Sequence, residues 1–244
     1  MENDLSITMK RISIDHPGAI SATLIALREN KIIAYPTDTI YGIGTDIDND
    51  KGINKINTLK GRKTPMSILV HSFDSVSSKL NLYPKFESQM NMIINDGDTC
   101  IVDYKSNAFN SLITQDNKVG FRVPNYPFLI HLLEQYTKPI TTTSINVTGS
   151  KPLNDPNKIE EMFSKDIDLL LDAGIINNQS ASKIYMFEQN NITQISTFIE
   201  TGTYKGGTIF PLSKQFKNLY TIEINKTAYS HCLNVAKKKN MQHN

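Results

Sequence analysis

Four short stretches of this 244-residue chain carry residue types suited to gathering anions. In "AYPTDTIYGIG" (34–44), Thr37 and Thr39 offer hydroxyls around Asp38, while Gly42 and Gly44 let backbone approach a ligand closely. The same letters also describe a turn closed by an Asx-type hydrogen bond from Asp38. In "LKGRKTP", Lys60 and Arg62 stand two apart, which in an extended loop sends both side chains the same way. Such a pair suits a polyphosphate, Arg as a rigid fork and Lys as a mobile point charge; a solvated basic turn is the plainer alternative. "GFRVP" sets Arg122 inside an apolar strand, where an unpartnered cation costs several kcal/mol, so it pairs with a carboxylate of the protein or of a ligand. "TTTSINVTG" gathers Thr141, Thr142, Thr143, Ser144, Asn146 and Thr148 at the end of another strand, a place where open α/β sheets bind phosphate or ribose. A capped turn closing on Gly149 accounts for it equally.

Regular elements must position these groups. Ile20, Leu24 and Leu27 recur at i, i+4 and i+7 and predict a helix opened by Pro17. "KIIAY" reads as the buried strand that delivers Thr37–Thr39. Ile53 and Ile56 predict a short helix leading to Lys60, and "SILVH" a second strand. Residues 74–94 read as helical, interrupted near Pro84; "TCIVDY" and "VGFRV" read as strands separated by a polar loop. A helix over "YPFLIHLLEQY", a strand over "PITTTSIN", a helix at 155–163, a strand over "IDLLLDAG" and two short strands, "KIYMF" and "ITQIS", complete the pattern. Strands alternating with helices predict an α/β domain with a largely covered sheet. After residue 196 the rhythm restarts with "TFIETGTYKGGTIF", "NLYTIEIN" and a last helix, so the expected division is 1–196 and a partial, Rossmann-like 197–244. That second piece buries too little surface to stand comfortably alone.

A net charge of +2 gives no global argument for nucleic acid or membrane. Cys100 and Cys232 lack metal-ligand spacing and read as reduced thiols. The start "MENDLSITMKR" has no apolar h-region, and no apolar run reaches the roughly 20 residues of a membrane span. A cytoplasmic protein is expected.

Together, "YPTDTIYGIG", "KGR…PMSILV", "VGFRVPNYP" and "TTTSINVTGSKP" resemble, in order and approximate spacing, the YrdC/YciO family, whose best-known members are threonylcarbamoyl-AMP synthases, over about residues 10–196. The resemblance implies a twisted open mixed sheet with flanking helices around a basic cavity. It implies an activity that joins L-threonine, bicarbonate and ATP into threonylcarbamoyl-adenylate with release of pyrophosphate, magnesium accompanying the nucleotide. A separate complex then passes the product to tRNA. Carried over, Thr39 would contact threonine and Arg122 its carboxylate; Lys60 and Arg62 would hold ATP phosphates and the carboxylated intermediate. Thr142, Ser144 and Asn146 would bind nucleotide and threonine, with Ser182 near the threonine site. Lys183 stands where the family usually has threonine. A binding module for tRNA or double-stranded RNA on the same fold is the second reading. The tail resembles the opening of a class I methyltransferase, with Glu200, the 202–206 turn and Glu223 toward S-adenosylmethionine. A third reading makes this chain the front of a fusion with a methyltransferase; S-adenosylmethionine binding and methyl transfer are not expected of it, because no catalytic half follows.

Overall fold

The structure, a computed structural model, describes residues 9–62, 64–146, 150–177 and 181–195, and the strands at 197–201 and 218–222. The chain forms two compact units, Met1–Asn146 with Pro152–Gln194, and Val147–Lys151 with Ile195–Asn244.

The first unit is built on one mixed sheet. Its strands are β1 (Lys10–Ser13), β2 (Ile33–Tyr35), β3 (Gly42–Gly44), β4 (Ser67–Leu69), β5 (Thr99–Asp103), β6 (Thr114–Gln115), β7 (Lys118–Arg122), β8 (Ile140–Ser144), β9 (Leu169–Asp172), β10 (Ile184–Phe187) and β11 (Ile192–Gln194). They lie in the order β1-β9-β2-β3-β8-β4-β7-β5-β10-β11, with β6 paired to β7. β8 is thus central, antiparallel to β3 on one side and to β4 on the other.

Two helices cover one face. α1 (Ala19–Arg28) buries Leu24 and Leu27, and α5 (Pro127–Tyr136) buries Leu129, Leu132 and Leu133. Proline opens α5, where its missing N–H costs nothing, and Thr137 ends it in the left-handed region. They pack on Ile33, Tyr35, Leu69, Ile140, Leu169 and Leu171. On the other face α2 (Asp50–Lys60) contributes Ile53 and Ile56, and α6 (Pro156–Phe163) Ile159 and Phe163, against Ala34, Ile43, Ile68 and Phe121. Side chains of Asn49 and Asp155 cap these two helices.

The span expected to be helical over 74–94 is only partly so. α3 (Asp74–Ser77) stops early, Leu80 forms a bridge with Tyr104, and helix resumes through a short turn, Pro84–Phe86, into α4 (Glu87–Asn95). Pro84 holds Tyr83 in extended backbone, which no helix can cross.

In the second unit, β12 (Thr197–Thr201) and β13 (Asn218–Ile222) pair in parallel, Thr197 opposite Asn218. The predicted glycine turn at 202–206, Glu223, Cys232 and the final helix lie outside the described residues.

Candidate active site

The helix α2 delivers the first cation. It ends at Lys60 because Gly61 takes φ 57°, and the N–H groups of Gly61 and Arg62 bond back to Thr58 and Asn57, each at 3.0 Å. Lys60 and Arg62 are therefore not neighbours on an extended loop, as their spacing suggested; the left-handed cap turns them to different acceptors. Lys60 Nζ donates to Ser144 O and Asn146 Oδ1, each at 2.5 Å, and Ser144 Oγ also donates to Asn146 Oδ1 at 2.9 Å. Arg62 donates from Nη1 to Thr143 Oγ1 at 2.8 Å, from Nε to Thr64 O at 2.8 Å, and from Nη2 to Thr64 Oγ1 at 3.2 Å and Pro65 O at 2.8 Å. Every one of these acceptors is neutral. Among the described residues neither cation has an ion-pair partner.

The electrostatic consequence is direct. Lys60 is only 7% exposed. Burial, reinforced by the charge of Arg62, pushes its ammonium from 10.5 down to about 7, and burial likewise lowers Arg62. Two desolvated cations without a counter-ion make a receptor for an anion.

A second group forms around Arg122 at the end of β7. Its Nε donates to Gly97 O, its Nη2 to Asp38 Oδ2 at 2.7 Å and its Nη1 to Thr39 Oγ1 at 3.2 Å. Burial lowers the guanidinium's value despite the opposing charge of Asp38. The burial question posed by the sequence thus resolves toward a protein carboxylate, with donors to spare on the fork. Asp38 Oδ1 is buried and has no hydrogen-bond partner. The loop that carries Thr39 is closed by Thr37 rather than by Asp38. Thr37 Oγ1 accepts from the N–H groups of Thr39 and Ile40, at 3.0 and 3.1 Å, and donates to Ile40 O at 2.7 Å. This frees the Asp38 carboxylate for Arg122. Ser182 reaches the same neighbourhood through Thr99, Oγ to Oγ1 at 3.0 Å, two residues beyond Gly97. Beside it, Lys183 N–H donates to Asp98 Oδ1 at 2.8 Å.

Strand register joins the two groups. Gly42 lies opposite Ser144, Ser67 opposite Thr142, and Leu69 opposite Arg122. Side chains repeat every second residue, so Gly42, Ser144, Thr142, Ser67, Gly120 and Arg122 share one face of the sheet. That is the face of α1 and α5, but those helices cover Leu69 and Ile140, whereas Ser67, Gly120, Thr142 and Ser144 stay half-buried. Small residues beyond the helices run along this face from Ser144 to Arg122, while Thr143, the acceptor of Arg62, points to the other face.

The glycines serve packing more than ligand approach. A Cβ on Gly42 would meet the Tyr35 ring at 2.9 Å, and one on Gly44 would meet Thr141 O at 1.8 Å. Ser67, Asp98 and Tyr35 belong to the site region yet went unassigned in sequence, whereas Thr143 was among the strand-end hydroxyls expected there. Ser67 alone left a readable sign, a polar residue opening an apolar strand. Asp46, a carboxylate two residues beyond Gly44, accepts from Tyr136 Oη and faces Lys138 at 3.7 Å, bridged to Ile140 at the far end of β8 from Ser144. Among the described residues no three His, Cys, Asp or Glu side chains gather to hold a metal, and no helix is long and apolar enough to cross a membrane.

An α/β sheet that carries buried cations and strand-end hydroxyls has groups of the kind that suit anionic small molecules. The family model for Sua5, YciO and YrdC proteins, described as "Telomere recombination", matches residues 25–196, and the chain belongs to that family. It is 25% identical over 167 residues to a threonylcarbamoyl-AMP synthase of Yersinia enterocolitica, covering 66% of this chain and 87% of that one. Among solved structures it is similar to YciO of E. coli, with a TM-score of 0.68 at 21% identity over 77% of this chain and 93% of the other. The structure of P. abyssi Sua5 complexed with L-threonine matches with a TM-score of 0.66 at 15% identity, over 97% and 89% of the two chains.

Proposed function

We propose that this chain is a threonylcarbamoyl-AMP synthase that forms threonylcarbamoyl-adenylate from L-threonine, bicarbonate and ATP, releasing pyrophosphate. The observation that carries the reading is a buried lysine and a half-buried arginine, Lys60 and Arg62, without an ion-pair partner among the described residues, beside Thr143, Ser144 and Asn146. Family membership and the synthase named among the relatives support it.

Threonine's amine attacks carbon dioxide or bicarbonate, and the resulting carbamate oxygen attacks the α-phosphorus of ATP, expelling pyrophosphate. Every participant but the amine is anionic, so the protein's task is to collect and align negative charge rather than to supply a covalent nucleophile. In this reading Lys60 and Arg62 hold the phosphates and the carbamate. Arg122 uses its spare donors on the threonine carboxylate, while Thr39 and Ser182 bound the threonine. Thr142, Ser144 and Asn146 lie between amino acid and nucleotide. Magnesium would take its ligands chiefly from the phosphates; among the described residues no three His, Cys, Asp or Glu side chains gather to hold it. Residues 1–196 are then the catalytic domain, acting in the cytoplasm and passing product to a tRNA-modifying complex, with 197–244 a separate segment.

Pyrophosphate release from ATP, measured with and without L-threonine and bicarbonate, tests the reading. Dependence on both supports it; release indifferent to threonine, or none from folded protein, contradicts it.

A further inference from the structure

Beside Arg122 stand two charged groups that the reading above leaves unused, Asp98 and Lys183. Asp98, 8% exposed, follows Gly97, whose carbonyl accepts from Arg122 Nε, and precedes Thr99, whose hydroxyl meets that of Ser182. Its Oδ1 accepts from the N–H of Lys183 at 2.8 Å, and the N–H of Thr99 donates to Lys183 O at 2.9 Å, which clamps 98–99 to 183. Its Oδ2 lies 3.9 Å from Lys183 Nζ. Opposite charges therefore alternate from Lys183, whose side chain is 61% exposed, through Asp98 and Arg122 to Asp38. Both carboxylates act on the guanidinium, and Asp38 bonds it directly at 2.7 Å. One guanidinium between two carboxylates carries a net negative charge, which repels the anion that Arg122 is read as binding.

We propose that Lys183 is a positioning residue of the amino-acid subsite: its ammonium offsets the Asp98 carboxylate, so that the surroundings of Arg122 accept a substrate carboxylate instead of repelling it. Lys183 acts through Asp98 and needs no contact with the substrate. An ion pair with one partner in solvent adds little to stability, so holding the fold together does not account for it. Its effect lies in cancelling a charge that is buried next to the subsite, where water screens it poorly. The threonine usual at this position in the family has only a hydroxyl and could not supply that charge.

This rests on the reading that threonine and its N-carboxylated form lie with the carboxylate on Arg122, and the experiment separates the two. Calorimetry on the full chain uses two probes of opposite charge. N-carbamoyl-L-threonine carries the carboxylate without an ammonium, and L-threoninol carries the ammonium without the carboxylate. At low salt, Lys183→Thr should bind N-carbamoyl-L-threonine about three- to tenfold more weakly than wild type and L-threoninol no more weakly. In about 0.5 M salt the loss should shrink, because exposed charge is screened. Lys183→Arg keeps the charge and should stay within about twofold of wild type. Adding Asp98→Asn to Lys183→Thr should restore affinity, since the amide oxygen still accepts from the N–H of residue 183 while the charge is gone. Unchanged affinity in Lys183→Thr, or equal weakening of both probes, overturns the assignment. A loss that Asp98→Asn does not restore also overturns it. Failure of wild type to bind L-threonine or N-carbamoyl-L-threonine instead removes the underlying reading, and the assignment with it.

Discussion

Replacing Lys60 with methionine tests the buried charge through stability alone, with no substrate present. Methionine fills much of the same path and cannot titrate. In the folded wild type the ammonium sits near 7, whereas in the unfolded chain it returns to about 10.5. Between those values the unfolded state binds more protons, so wild-type stability rises with pH, by about 1.4 kcal/mol per pH unit. Below pH 7 both states hold the proton and the full cost is present, about 4–5 kcal/mol. Above 10.5 it is gone. Urea unfolding of both proteins at pH 6, 7, 8 and 9 reads the difference between them, in which every other titrating group cancels. The variant's relative stability should be greatest at pH 6–7 and fall by about 2–3 kcal/mol by pH 9. Curves that run parallel across this range would refute the claim that Lys60 is a desolvated, unpaired cation.

Other perturbations probe the remaining parts. Asp38→Ala leaves Arg122 buried beside only neutral acceptors and should lower unfolding stability by about 3–5 kcal/mol, read by urea titration. Gly44→Ala drives a methyl into Thr141 O, where backbone cannot yield, and should cost more than about 3 kcal/mol or prevent folding, seen as lost cooperativity on heating. Thr37→Val removes the hydroxyl that closes the 37–40 turn; threonine affinity should fall at least about tenfold, while tripolyphosphate affinity is kept.

Much of this was legible in the sequence because it lies in local pattern. Period-2 and period-3.6 apolar spacing gave the sheet and its helices, and the anomalous Arg122 in an apolar strand announced a partner. What sequence concealed depends on long-range geometry. Nothing in "PTDT" says that the Thr37 hydroxyl, not the Asp38 carboxylate, closes the turn; that follows from Arg122 lying 84 residues away claiming Asp38. Likewise "KGR" reads as an extended pair until Gly61 is seen to cap a helix. Ser67 and Gly120 matter only through register across β8, β4 and β7, which no local window contains. The segment after residue 196 showed its strand rhythm in sequence, and of it the structure describes the two strands, 197–201 and 218–222.

Threonine-dependent pyrophosphate release from ATP, in wild type and in Lys60→Met and Arg122→Lys, addresses the central claim most directly. A site assembled to gather an amino acid carboxylate and a triphosphate predicts release that requires threonine and bicarbonate and falls at least about tenfold in each variant. Release that proceeds without threonine, or survives unchanged in both variants, would contradict it.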